Sequence, residues 1–96
     1  MKNKELYTFV TTYDGGTFIM QLRANNLSDA VDTYLFKKLK PLSKVMGFSY
    51  NKKQIKEDLE IGTPFVKIDK TKNVFCFGCT LGKKFALFNI IKTSLN

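Results

Sequence analysis

Between Leu6 and Leu39 the hydrophobic period changes from two to about 3.6, across a single Asp14-Gly15-Gly16 turn. Two alternating runs, Leu6–Tyr13 and Thr17–Arg23, flank the turn and read as the strands of a hairpin. On the second run Phe18, Met20, Leu22 and Ala24 share one face, while Thr17, Ile19, Gln21 and Arg23 share the other. Asn25-Asn26 ends the strand. Ser28 then suits a helix N-cap, with Asp29 and Asp32 favourably placed in the first turns. Leu27, Ala30, Val31, Tyr34, Leu35 and Leu39 recur at helical spacing, and Pro41 is expected to stop the helix. A β-β-α unit follows from these residues alone.

The remaining chain is less regular. Gly47 interrupts Leu42–Tyr50, where Val45, Met46, Phe48 and Tyr50 have no clean period, so a loop or short helical turn is expected. Asn51 can cap a second helix over Lys52–Glu60, with Ile55 and Leu59 inward, ended by Gly62-Thr63-Pro64. Phe65–Ile68 reads as a short edge strand. Lys70–Asn73 forms a turn into a strand over Val74–Leu81, and Gly82-Lys83-Lys84 turns into Phe85–Lys92. The order β-β-α-(α)-β-β-β implies a single α+β domain, an antiparallel sheet of four or five strands with one or two helices packed on it. At 96 residues such a chain buries about 65% of its unfolded surface, and the hydrophobic content and nine Phe furnish that core.

Three strand-like runs are apolar on both faces: Phe85–Ile91, Val74–Phe77 and Leu6–Val10. A half-exposed antiparallel strand alternates instead. Either Leu42–Tyr50 or the second helix folds over the second face, or that face is a partner surface, in self-association or in a complex.

The sequence contains no His, which removes Ser-His and Cys-His pairs and most zinc sites. Asp29 with Asp32, and Glu57 with Glu60, are three apart, a spacing that suits helix surface better than an acid/base couple. Gly15-Gly16 precedes a strand and lacks the further glycines of a phosphate cradle. Cys76-Phe77-Gly78-Cys79 has C-x-x-C spacing inside a strand-like run, where residues three apart face opposite ways. Structural thiols, a redox pair, and an all-cysteine metal site shared between two chains are the three readings. No catalytic set, cofactor or resident metal is expected. No apolar run approaches the roughly 18 residues that span a bilayer, so no membrane is expected and a cytoplasmic location is.

The formal charge is +8, and 15 of the 16 basic residues are Lys. No carboxylate lies between Asp32 and Glu57, where Lys37, Lys38, Lys40, Lys44, Lys52, Lys53 and Lys56 cluster. A Lys- and Asn-rich, Arg-poor chain is also what an AT-rich genome produces without functional pressure. Interleaved Phe36, Phe48 and Tyr50 permit single-stranded nucleic-acid binding by stacking and backbone charge.

From Tyr7–Val10 through Asp14-Gly15-Gly16-Thr17-Phe18 to Leu27–Val31, the chain resembles the strand, Asp-Gly-Gly turn, strand and helix of HicB-like antitoxins. That family's Pro-Gly-Cys segment is replaced here by Ala24-Asn25-Asn26, and the C-terminal strands have no counterpart in it. As a whole the chain is similar to the small α+β immunity proteins of bacterial contact-dependent toxin systems. Both resemblances imply a non-catalytic, stoichiometric inhibitor of a partner toxin. Its partner-binding residues would be Lys37, Lys38, Lys40, Lys44, Lys52, Lys53 and Lys56, steering an acidic patch. The alternative is a basic nucleic-acid-binding domain using the Lys37–Lys56 segment. A third reading is a homodimer through the apolar sheet face.

Overall fold

The computed structural model describes residues 4–61, 66–67 and 74–92. Two nine-residue strands, β1 (Glu5–Tyr13) and β2 (Gly16–Ala24), pair in unbroken register from Tyr13↔Gly16 to Glu5↔Ala24. Asp14 (φ 48°) and Gly15 (φ 80°) form the two-residue turn between them. Positive φ at both central positions matches the right-handed twist of the strands, and only short polar residues or glycine adopt it cheaply. Beyond the helices come β3 (Val66–Lys67), β4 (Val74–Leu81) and β5 (Lys84–Lys92). The sheet is wholly antiparallel, in the order β2-β1-β5-β4-β3, so the hairpin and the C-terminal strands meet at the central β1–β5 ladder. The expected α+β architecture is the one observed, with β3 at an edge.

Two helical rods cover one face of this sheet. The first comprises α1 (Leu27–Thr33), a π-helical turn (Tyr34–Lys38) and α2 (Leu39–Met46), which follow one another without a break. The second is α3 (Lys52–Ile61). Asn26, rather than the expected Ser28, caps α1: its side chain accepts the Asp29 N–H at 2.8 Å. The chain turns helical as soon as the strand ends, so Ser28 already lies inside. Asn51 caps α3 as expected, accepting the Gln54 N–H at 3.1 Å.

Pro41 does not stop the first rod. Proline gives no N–H to the carbonyl four residues back and its ring crowds that carbonyl. Here the coil has already widened: Leu39 N–H reaches back five residues, to the Tyr34 carbonyl. The wider turn lets Pro41 pass within the helix. It also frees the Leu35 carbonyl, which accepts the Tyr50 hydroxyl at 2.7 Å. The helix continues through most of the segment expected to be irregular and ends at Gly47, whose left-handed φ of 90° only glycine takes without strain.

The core lies between the rods and one sheet face. Tyr7, Phe9, Tyr13, Phe77, Phe88 and Ile90 meet Ala30, Val31, Tyr34, Leu35, Leu39 and Ile55, all buried. Tyr34 stacks on Phe9 with centroids 4.3 Å apart and presents an edge to Phe88 at 5.9 Å. Phe48 tilts against Tyr13, and Met46 joins the same core.

The account in which Leu42–Tyr50 or the second helix covers the opposite face is therefore overturned. Both pack on the core side, and the opposite side keeps Ile19 (69% exposed), Phe85 (65%) and Leu87 (39%) in solvent. The sequence expectations for Gly62–Pro64 and Lys70–Asn73 fall outside the described residues.

A candidate basic cleft between two helices and a strand end

The unbroken hairpin register carries Lys4 to the end of β2, beside Ala24 and Asn25. There the chain reverses into α1, and α3 packs alongside. A cleft of about 630 Å³ remains between them. Lys4 and Arg23 come from the hairpin, Lys37 from the π-turn, and Lys52 and Lys56 from successive turns of α3. Phe36, half-buried, provides an aromatic wall, with Lys52 Nζ 5.7 Å from its ring centroid. Asp29 and Asp32 from α1 line the same wall.

No ion pair found among the described side chains involves these cations. The ion pairs found there are Lys84–Asp14 at 2.8 Å and Lys92–Glu5 at 2.9 Å, and neither touches the cleft. Each raises the pKa of its lysine, chiefly through the charged hydrogen bond to the carboxylate. Asp29 instead accepts a bond from the Asn25 amide at 3.3 Å. Lys52 and Lys53 occupy the first turn of α3, which contains no carboxylate. Cations there oppose the helix dipole, each at roughly 0.3–1 kcal/mol.

Of the seven lysines expected to bind a partner, the structure brings Lys37, Lys52 and Lys56 together in the cleft. Lys38, Lys40, Lys44 and Lys53 are exposed but do not line it. Sequence reasoning missed Lys4 and Arg23. Counting the hairpin pairing outward from the Asp14-Gly15 turn would have found Lys4, since Glu5↔Ala24 sets it opposite Asn25. Of the aromatics named as stacking candidates, Phe36 alone lines the cleft; Phe48 and Tyr50 are held in the fold by Tyr13 and by Leu35.

The two cysteines are free and occupy opposite faces of β4. Cys79 is buried in the core, its Sγ 3.7 Å from Asp58 Oδ2, while Cys76 is half-buried on the other side. Burial, and then the Asp58 charge, pushes the Cys79 thiol up to about 12. That is the reverse of an activated redox cysteine. Asp58 also accepts the Thr80 N–H at 2.8 Å, on the edge of β4 beyond its short pairing with β3.

Among the described residues no group of three His, Cys, Asp or Glu could hold a metal ion, and no helix is long and apolar enough to cross a membrane. No protein-family model, curated protein or solved structure matches this chain.

Proposed function

We propose that the protein is a non-catalytic binding module of immunity or antitoxin type, which neutralises a partner toxin by stoichiometric binding and receives an acidic surface of that partner at the basic cleft. The observation that carries this reading is the convergence of Lys4, Arg23, Lys37, Lys52 and Lys56 on one concavity that neither ion pair found among the described side chains touches. Exposed, unneutralised charge of one sign accelerates encounter with an opposite patch and does so in a salt-dependent way. Asp29 and Asp32 on the wall argue for a protein over a nucleic acid. A phosphate backbone threaded through the cleft would meet both carboxylates, whereas a protein surface can answer them with its own cations. The single Arg points the same way, because bidentate phosphate contacts favour Arg.

The test is co-expression with the product of the neighbouring gene, followed by stopped-flow association at 50 and 300 mM salt. A one-to-one complex is expected, and Lys52→Glu with Lys56→Glu should slow association about tenfold at low salt while leaving dissociation nearly unchanged. Absence of a complex, or unaltered association, rejects the reading. A fluorescent single-stranded oligonucleotide provides the contrasting arm: tight binding that falls steeply with salt would assign the cleft to nucleic acid.

A further inference from the structure

We propose that the open face of the sheet is a self-association surface, on which a second copy of this chain packs face to face. The ladders place its residues in rows across the strands. One row runs Ile19, Val10, Asn89, Cys76; the next runs Thr17, Thr12, Leu87, Gly78. Phe85 lies beyond, opposite Thr80. Ile19 and Phe85 are mostly exposed and Leu87 substantially so. Gly78 has a packing role here, because a Cβ at that position would run into the Phe85 ring. The ring thus lies across the glycine and keeps the surface level enough for another sheet.

Charge and area both select a second copy as the occupant. Among the described residues the charged position on this face is Arg23, at a corner, where it lines the cleft at the end of β2. A chain of net charge +8 repels its own kind, and the lysines of the middle segment all belong to the two rods on the other side. Face-to-face approach of the neutral sheets is the orientation that keeps those lysines farthest apart. Four strands about 4.8 Å apart and about 27 Å long make a patch of roughly 500 Å² in projection. With side chains standing out of it, the accessible area approaches the ~800 Å² that each partner contributes to an ordinary stable interface. Two sheets in such contact lie about 10 Å apart with interdigitating side chains. The contact is isologous and closes as a dimer. It leaves both basic clefts facing outward and does not depend on what they bind.

Sedimentation equilibrium from 1 to 200 µM tests this on the full chain. The expected limit at high concentration is twice the 11.0 kDa chain mass. Ile19→Asp and Phe85→Asp alter exposed side chains, so circular dichroism should show the fold intact while dimerisation weakens at least 100-fold. An independent readout is the rate of maleimide labelling at Cys76, which should fall as the dimer forms. A chain that stays at 11.0 kDa throughout overturns the proposal, whatever else covers the face. So does a dimer indifferent to both substitutions, or one that leaves Cys76 labelling unchanged.

Discussion

The most decisive perturbation of this fold is the removal of one buried hydroxyl pair. Thr11 Oγ1 and the Tyr34 hydroxyl lie 2.7 Å apart, and both residues are fully buried, linking the central strand to the first helical rod. Burial pushes the Tyr34 phenol above its ordinary value, so the group stays neutral and able to donate through the range in which the protein is handled. Tyr34→Phe keeps the ring stacked on Phe9 but strands the Thr11 hydroxyl. Leaving one buried polar group unpaired costs about 1–3 kcal/mol. Thr11→Val strands the phenol instead, at a similar cost. The double variant removes both polar groups, so its loss should be smaller than either single loss, giving a coupling energy at least as large as a single loss, about 1–3 kcal/mol. In urea denaturation, with a slope of roughly 1–1.5 kcal/mol per molar, each single variant should lower the midpoint by about 1–2 M. If the two losses simply add in the double variant, the hydroxyls do not satisfy one another and the reasoning fails.

Two further outcomes follow from local geometry. Asn26→Ala should destabilise by about 1 kcal/mol and Ser28→Ala by only a few tenths, because Asn26 alone accepts the Asp29 N–H; equal losses in thermal melts would contradict the capping assignment. At pH 8 the native protein should label with maleimide at Cys76 and not at Cys79. The raised Cys79 thiol contributes stability that is complete below its unfolded value of 9.0 and is lost as pH rises toward about 12, so rapid Cys79 labelling or a flat alkaline stability profile would count against its burial beside Asp58.

The hairpin, the helix beginning near Leu27 and the C-terminal strands were legible because their signals are local. The Asp14-Gly15 turn sets the register of nine residue pairs, and the C-terminal strands stand out as short apolar runs between turn residues. Pro41 misled for the opposite reason. Its tolerance depends on a π-turn earlier in the rod and on a hydroxyl from Tyr50, fifteen residues beyond Leu35, and no window of helical period contains both. Leu42–Tyr50 was opaque on the same ground, since its apolar side chains answer to Tyr13 and the core rather than to a period of their own. The lysine cluster was visible as a run without carboxylates. Its division into cleft-lining and merely exposed residues was not, because that division depends on how α3 packs beside α1.

The placement of the lysines bears on whether their abundance is composition or design. Codon bias alone would scatter lysine over exposed positions without regard to local electrostatics. Carboxylates would then neutralise some of them, and helix starts would remain acidic. On the hairpin and β5 this is what is found: Lys84 pairs with Asp14, and Lys92 with Glu5. Around the cleft the reverse holds. Lys52 opens α3 against its dipole, the ion pairs found among the described side chains do not involve Lys37 or Lys56, and Asp29 bonds to Asn25 instead. Each choice opposes stability slightly, and all of them leave positive charge available in one concavity. Among the described residues the opposite face of the sheet mixes apolar side chains with uncharged Thr, Gln and Asn, and Arg23 is its charged residue. On the two proposals above, long-range attraction and short-range burial belong to different sides of the molecule, so a change at Lys52 should alter how fast partners meet, whereas a change at Phe85 should alter how long copies stay together.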